Sequence, residues 1–191
     1  MICTLPEVFG QVAIGERMVT SKFVLVATGG RPRKPSVPGI EHAITSNEAF
    51  ELAALPRRVL IVGGGYIAVE FAGIFRGLGS EVTLSYRGEQ ILRGFDEDVR
   101  RHLREELGKK GVRILLNSNV ARIDRRPDGA LEAAVSGMPS GKHDCDTVMV
   151  ATGRVPNTGA LGLAEAGVDL DEQGGVVVDR YGQSSAPSIY A

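Results

Sequence analysis

Three consecutive glycines and the alanine that follows them carry the clearest chemical signal in this 191-residue sequence. Residues 58–87, RVLIVGGGYIAVEFAGIFRGLGSEVTLSYR, lead from an apolar run through the glycines into a helical pattern. The spacing fits G-x-G-x-x-G/A, in which Gly63 permits a tight turn, Gly65 lets a diphosphate approach the backbone, and Ala68 keeps the helix close to the sheet. The free N–H groups of the helix would face that diphosphate. We expect a dinucleotide site here; the alternative is a glycine turn in an α/β fold that binds no nucleotide.

The end of the second apolar run indicates which dinucleotide to expect. NAD-binding units place Asp or Glu there, about 20 residues after the glycines, to accept from the ribose hydroxyl. Here the run ends in Arg87, and Arg93 follows six residues later. Guanidinium groups bind a 2′-phosphate through charge-assisted hydrogen bonds, whereas a carboxylate would repel it. We therefore expect NADP(H) rather than NAD, with Glu89 as the alternative, a displaced acceptor for the ribose.

Buried strands and amphipathic helices must position these residues. A β-α-β-α-β order with an antiparallel β insertion predicts an α/β fold, with a doubly wound Rossmann-like dinucleotide-binding domain. Helices are predicted at 65–78 and from Asp96 to Gly108 or Gly111. The predicted strands are 58–62, 81–86, 112–116, 119–123, 131–135 and 146–151.

The flanking segments show weaker patterns. Residues 11–28 predict a hairpin turning at Gly15-Glu16, with residues 23–27 as its second, buried strand. Residues 29–39 hold three prolines and predict a stiff connector that is neither helix nor strand. The tail, residues 152–191, is predicted to hold loops and short strands such as 176–179.

Two further local patterns stand out. Thr45 and Glu48 have capping-box spacing, which predicts a short helix. The segments VLVATGGRPRKP (24–35) and VMVATGRVPNTG (148–159) are near-repeats. They indicate two points where the chain crosses between domains beside a cofactor. The alternative is two buried strands that are followed by similar turns.

Composition excludes several classes of function. Lys and Arg number 22 against 23 Asp and Glu, so no basic footprint for nucleic acid is present. No apolar run approaches the roughly 20 residues that span a bilayer, and the first residues do not form a secretory signal. Cys3 and Cys145 lie far apart and predict buried small hydrophobes, neither a metal cluster nor a redox pair. A cytoplasmic, soluble protein with no metal is expected.

With these residues in view, the sequence resembles the glutathione reductases, within the flavin-dependent pyridine nucleotide–disulfide oxidoreductases. The resemblance runs from about Gln11 onward and is most specific in GGGYIAVEFA, TSNEAF, the Arg87 to Arg93 stretch and the two ATG segments. It implies an oxidoreductase in which NADPH reduces FAD, FAD reduces a cysteine disulfide, and glutathione disulfide is the final acceptor.

The resemblance also implies roles for single residues. Tyr66 would cover the nicotinamide pocket and swing aside when NADPH enters, Glu70 would orient the nicotinamide, and Gly153 would approach it. The alternatives are a capping aromatic for Tyr66 and a solvated helix residue for Glu70. Gly65 and Ile67 would line the path of the dinucleotide.

Other family features do not occur in these 191 residues. No second glycine-rich motif for FAD and no C-x-x-x-x-C is present, and no histidine is followed by proline. The resemblance therefore implies residues 1–30 as a hairpin remnant of an FAD domain, 31–152 as the NADPH-binding domain, and 153–191 as an incomplete return to the FAD domain. We expect no catalytic residue in this chain and no FAD binding by the chain alone.

Family members are homodimers, through a segment that has no counterpart in this sequence. Two alternatives to an NADPH-binding part of a larger enzyme stay open. One is a free-standing NADP-binding module, and the other is an NAD-dependent relative such as a lipoamide dehydrogenase.

Overall fold

A computed structural model describes residues 2–4, 10–137 and 140–191, with only the backbone described for 2–4. The chain divides into two compact units. The split unit consists of Met1–Arg31 and Arg154–Ala191, and the central unit, from the middle of the chain, is Pro32–Gly153. In the described part of the chain, no helix is both long and apolar enough to cross a membrane.

The strands of the described chain, in order, are β1 (Ile2–Thr4), β2 (Gly10–Ile14), β3 (Arg17–Ser21), β4 (Val24–Leu25), β5 (Gly30–Pro32), β6 (Arg58–Val62), β7 (Glu81–Ser85), β8 (Arg113–Leu115), β9 (Ser118–Arg125), β10 (Leu131–Gly137), β11 (Gly141–Cys145), β12 (Thr147–Val150), β13 (Arg154–Pro156) and β14 (Ile189–Tyr190). The helices are α1 (Ser46–Ala49), α2 (Tyr66–Gly77) and α3 (Glu97–Lys109), preceded by a 3-10 turn at Ile40–His42.

A four-stranded parallel sheet organises the central unit. Its order is β12-β6-β7-β8, and Val62 pairs with Ser85 on one side and with Val150 on the other. The carboxyl ends of β6, β7 and β12 therefore share one edge, which is where ligands bind in open α/β sheets. The predicted α/β class, with a parallel sheet and an antiparallel insertion, is confirmed.

The two faces of this sheet are covered differently. Val59 and Ile61 of β6 pack in one cluster with residues of α2 and α3, while Leu60 and Val62 pack in another with residues of β9, β10 and β11. The alternation follows from the pleat, which points successive side chains to opposite faces. An antiparallel sheet of β9, β10 and β11, rather than a second helical layer, thus covers the second face.

Strong local signals explain the two longer helices. Helix α2 buries an apolar stripe and ends before Gly79, which has a φ of 106°. Helix α3 begins at the predicted cap, because the Asp96 carboxylate accepts hydrogen bonds from the N–H groups of Asp98 and Val99. The predicted capping box at Thr45 and Glu48 is also present and opens α1.

The predicted hairpin in the split unit is only partly correct. It turns at Gly15, with a φ of 59°, but its second strand is β3 rather than residues 23–27. Residues 23–27 are not fully buried: Phe23 is 55% exposed and Leu25 is 70% exposed, while Val24 and Val26 are half-buried and pack against the core of this unit. Only one face of the segment packs against other residues. The continuous apolar run therefore predicted more burial than the structure shows.

Two other expectations for the flanks are only partly correct, since residues 33–39 hold no helix or strand and the tail holds the short strands β13 and β14, as predicted. The prolines of 29–39 do not prevent strand formation, since β5 pairs with β13 and Pro32 lies at the strand's end, where a missing N–H is tolerated. Residues 176–179 form no strand; instead Val176 and Val178 make isolated bridges to Leu170 and Ser184. Sequence reasoning also missed β11, because its residues, GKHDC, are mostly polar.

Candidate dinucleotide-binding site

The turn from β6 into α2 needs glycine at its first position. Gly63 has a φ of 141°, and a Cβ at this residue would lie 2.3 Å from the carbonyl oxygen of Ala151. Its N–H donates a 2.9 Å hydrogen bond to the backbone carbonyl oxygen of Ser85. The turn therefore lies against the ends of both neighbouring strands, as predicted for a tight turn at this sheet edge.

Gly65 differs from Gly63, because its surroundings are open. It has an extended backbone, with φ −82° and ψ −180°, and a Cβ placed there would meet no atom within 4 Å beyond its chain neighbours. No side chain caps α2, and among the described residues the N–H groups of Tyr66, Ile67 and Ala68 have no acceptor. A helix tip of this kind, with free N–H groups and open space, suits an anion such as a diphosphate.

Gly64, the middle glycine of the turn, is required for packing, which sequence reasoning missed. A Cβ at Gly64 would lie 2.4 Å from the Tyr86 ring, and a Cβ at Gly88 would lie 2.6 Å from the same ring. Tyr86 therefore packs between two glycines and joins the glycine-rich turn to the start of the loop that follows β7. No local pattern signals this contact.

That loop, residues 86–96, holds both predicted phosphate-binding arginines, and we call it the arginine loop. Its backbone is fixed at several points: Asn117 N–H donates to Gly88 at 3.0 Å, and Leu92 N–H donates to Gly64 at 2.6 Å. Leu92 is only 4% exposed and has a left-handed φ of 55°. The arginine loop is thus bonded directly to the glycine-rich turn.

Arg87 and Arg93 are both exposed on this loop. Neither makes a hydrogen bond or ion pair with any described residue, and the same holds for Glu89. Two cationic side chains on a well-fixed backbone, without protein counter-ions among the described residues, leave their charge available to an external anion.

Arg100, on α3, is a further residue of this region that sequence reasoning missed. Its Nε donates to the carbonyl oxygen of Ile91 at 2.8 Å, and its Nη2 donates to that of Gln90 at 3.1 Å. Its Nη1 pairs with Glu97 at 2.5 Å. In the sequence Arg100 is one of many charged residues of an exposed helix, so nothing marked it.

The residues predicted at the nicotinamide end are accessible. Tyr66 is 54% exposed, Glu70 is exposed one helical turn later, and the carboxylate of Glu70 makes no hydrogen bond or ion pair with a described residue. Gly153 is exposed, has a φ of 127°, and accepts a 2.9 Å hydrogen bond from Arg33 N–H. Their roles toward a nicotinamide stay predictions.

The cysteine in the core has no accessible thiol. Cys145 is 2% exposed, and burial raises the pKa of its thiol to about 12. Such a thiol is a small hydrophobe rather than a nucleophile, as predicted for this residue. The side chain of Cys3 lies outside the described residues.

A profile for pyridine nucleotide-disulphide oxidoreductases matches residues 7–191. The chain belongs to this family. Its similarity to the glutathione reductases within that family is also confirmed. The glutathione reductase of Nostoc sp. is 45% identical over 190 residues, which cover 94% of this chain and 41% of the relative. The trypanothione reductase of Trypanosoma congolense is 46% identical over 175 residues, 90% of this chain and 35% of the relative.

Solved structures give the same family placement. The Cu(II) complex of the HOCl-induced flavoprotein disulfide reductase RclA from Escherichia coli matches with a TM-score of 0.85 and 29% identity. The match covers all of this chain and 43% of that protein. This member of the pyridine nucleotide-disulphide oxidoreductases thus spans about two fifths of the length of such relatives.

The described residues fit the two cofactors of the family unequally. For a nicotinamide dinucleotide, the central unit offers the open position at Gly65, the tip of α2 without a side-chain cap, and the exposed side chains of Arg87 and Arg93. For FAD, a second glycine-rich turn that opens a helix would be needed, and the described residues of the split unit contain no α-helix. These residues therefore do not make a flavin diphosphate site of that type.

Proposed function

We propose that this chain is the NADPH-binding part of a glutathione reductase-like flavoprotein disulfide oxidoreductase, and that its central unit is a Rossmann-like dinucleotide-binding domain. One observation carries the proposal: the open helix tip at Gly65 and the exposed residues Arg87 and Arg93 belong to two loops that are bonded to each other through Leu92 and Gly64. A dinucleotide with a 2′-phosphate presents anions to both places.

The helix tip is the part of the site that NADPH and NADH would share. The N–H groups of Tyr66, Ile67 and Ala68 point their donors beyond the helix, where the helix dipole also favours negative charge. Gly65 lets the diphosphate approach because it has no Cβ. The chain's contribution here is to bind and orient the dinucleotide.

The arginine loop is the part that would distinguish the two coenzymes. Arg87 and Arg93 would bind the 2′-phosphate through charge-assisted hydrogen bonds, each worth about 1.5–3 kcal/mol. That corresponds to roughly tenfold to a hundredfold in preference for each arginine. Glu89 lacks a cationic partner among the described residues and would disfavour a phosphate placed next to it.

The nicotinamide end would involve residues of α2 and Gly153, which lies between β12 and β13. Tyr66 would cover the nicotinamide pocket and exclude water until the coenzyme enters, and Glu70 would orient the ring. Gly153 would allow the ring to approach the backbone. When bound, the coenzyme supplies a hydride, and these residues only position it.

In the whole flavoprotein, we propose that NADPH and glutathione disulfide give NADP and two glutathione molecules, as the names of the relatives suggest. We propose that the 191-residue chain alone binds NADPH and does not turn over the disulfide. Its sequence has two cysteines, and the thiol of Cys145 is buried with a strongly raised pKa.

Fluorescence titration of the chain with NADPH and with NADH tests the proposal. NADPH should bind at least about tenfold tighter than NADH. Tighter binding of NADH would favour an NAD-dependent relative, and equal binding of the two coenzymes or binding of neither would refute the proposal. Addition of FAD and glutathione disulfide to the NADPH complex should cause no sustained loss of nicotinamide absorbance; a steady decrease would show that the chain is catalytically complete.

A further inference from the structure

We infer that Arg100 is a positioning residue for coenzyme preference: it fixes the backbone that presents Arg93, without touching the nucleotide itself. The inference rests on the proposed function, since it deepens the account of how the arginine loop would receive a 2′-phosphate. It concerns a residue on α3, outside the glycine-rich turn and outside the arginine loop.

The contacts of Arg100 are directed to the backbone of the loop. Its Nε and Nη2 donate to the carbonyl oxygens of Ile91 and Gln90, at 2.8 and 3.1 Å. Its Nη1 is paired with Glu97, and its side chain is 20% exposed. All three nitrogens are therefore engaged within the protein, which leaves Arg100 poorly placed to bind a phosphate directly.

The backbone that Arg100 holds includes an unfavourable conformation. Leu92, directly after Ile91, has a φ of 55°, which a branched residue adopts only when its surroundings impose it. Three groups fix this position: the buried side chains of Ile91 and Leu92, the bond from Leu92 N–H to Gly64, and the guanidinium of Arg100.

Arg93 is the next residue, so its direction depends on the left-handed turn at Leu92. Without the Arg100 guanidinium, the carbonyl groups of Gln90 and Ile91 would lose their charged donor, and an extended conformation at Leu92 would become more accessible. Arg93 would then sample several directions, and part of its contribution to binding a 2′-phosphate would be lost to the ordering of the loop.

Adenosine 2′,5′-bisphosphate and 5′-AMP are suitable probes, because they differ only in the 2′-phosphate. The test compares Arg100→Met and Arg100→Lys with Arg101→Met in the 191-residue chain by isothermal titration. Arg101 is a matched control, since it is one residue away on the same helix, pairs with Asp98 and makes no bond to the arginine loop.

We expect Arg100→Met to weaken binding of the bisphosphate by about tenfold, while 5′-AMP binding changes by less than about twofold. Arg100→Lys should lie between Arg100→Met and the wild type, since an ammonium group reaches one carbonyl but not two. Arg101→Met should match the wild type. Circular dichroism at the titration temperature confirms that each variant is folded, and Arg100→Lys serves as the test if Arg100→Met is not.

A double-mutant cycle identifies the route of the effect. In an Arg93→Ala background, Arg100→Met should cause no further loss of bisphosphate affinity, because Arg100 acts through Arg93. Additive losses of bisphosphate affinity would overturn the inference but not the proposed function. The same holds if Arg100→Met keeps the wild-type preference for the bisphosphate over 5′-AMP while Arg93→Ala loses it. A wild-type chain that binds the two probes equally would overturn the proposed function as well.

Discussion

The backbone N–H of Leu92 donates a 2.6 Å hydrogen bond to the carbonyl oxygen of Gly64. The two residues lie far apart in the chain, and each belongs to a loop at the carboxyl ends of the parallel strands. The bond sets the arginine loop against the glycine-rich turn. Recognition of a diphosphate and of a 2′-phosphate would thereby be coupled through the backbone rather than through flexible side chains.

Gly65 should be replaceable for folding but not for binding. Its backbone is extended and a Cβ would meet open space, so Gly65→Ala should change the free energy of unfolding by less than about 0.5 kcal/mol. The new methyl group would occupy the path of the diphosphate, and affinity for both NADPH and NADH should fall by about tenfold or more. Urea unfolding and coenzyme titration of the same variant measure the two effects.

Gly63→Ala, in contrast to Gly65→Ala, should destabilise the fold. The residue has a φ of 141°, and a Cβ would lie 2.3 Å from the Ala151 carbonyl oxygen. We expect a loss of about 2 kcal/mol or more in unfolding free energy. If Gly63→Ala unfolds at the same urea concentration as Gly65→Ala, the glycine-rich turn does not have the geometry described above.

Arg87 and Arg93 should decide between the coenzymes. Arg87→Ala and Arg93→Ala should each weaken NADPH binding by roughly tenfold to a hundredfold, because each removes charge-assisted bonds of about 1.5–3 kcal/mol. NADH binding should change little, since NADH has no 2′-phosphate. Arg101→Ala provides the control for loss of one positive charge. Equal weakening of NADH binding would mean that the arginines support the fold or the diphosphate instead.

The sequence predicted the central unit well because its signals are local. The apolar runs of β6, β7 and β12, the cap at Asp96 and the glycine that ends α2 each act within a few residues, and the bounds agree closely. The positions of Gly63 and Gly65 could be assigned in the same way, since their spacing and context are contiguous.

The missed features depend on contacts between distant segments. The Tyr86 ring between Gly64 and Gly88, and the bonds of Arg100 to the arginine loop, exist only once β7 and α3 are packed. The exposure of Phe23 and Leu25 is a similar case, because burial depends on which segments cover a strand and not on its own residues.

An ion pair between β6 and the residue before β12 should make stability depend on pH. Asp146 accepts from the Arg58 side chain at 2.6 Å and from the Arg58 N–H at 2.8 Å, and these bonds hold the pKa of its carboxyl below the usual 3.8. A depressed pKa means that the stabilisation is fully present above pH 3.8 and is lost as the pH falls through the lower folded value.

Asp146→Asn should therefore lose about 1 kcal/mol of unfolding free energy at pH 7, a modest value because the pair is partly exposed. Below the folded pKa both proteins carry a neutral group, so the difference should shrink. Urea unfolding of variant and wild type from pH 7 to about pH 2 covers the range below 3.8 in which the difference should shrink, and a difference that grows in acid would contradict the assignment of the pair.

Cys145 should be chemically silent in the folded protein. It is 2% exposed, and burial raises the pKa of its thiol to about 12. The thiolate is therefore a very small fraction at neutral pH, and a reagent has little access to the sulfur. In a Cys3→Ser background, which leaves Cys145 as the only thiol, iodoacetamide at pH 8 should label the folded chain no faster than it unfolds, and should label it rapidly in urea. Fast labelling without denaturant would place Cys145 at the surface.

The most direct measurement is a crystal structure of the chain with NADP bound. The proposed binding mode has the diphosphate at the N–H groups that begin α2, beside Gly65, and the 2′-phosphate within hydrogen-bonding distance of the guanidinium groups of Arg87 and Arg93. A bound coenzyme whose adenosine ribose lies away from both arginines, or whose diphosphate avoids Gly65, would contradict it.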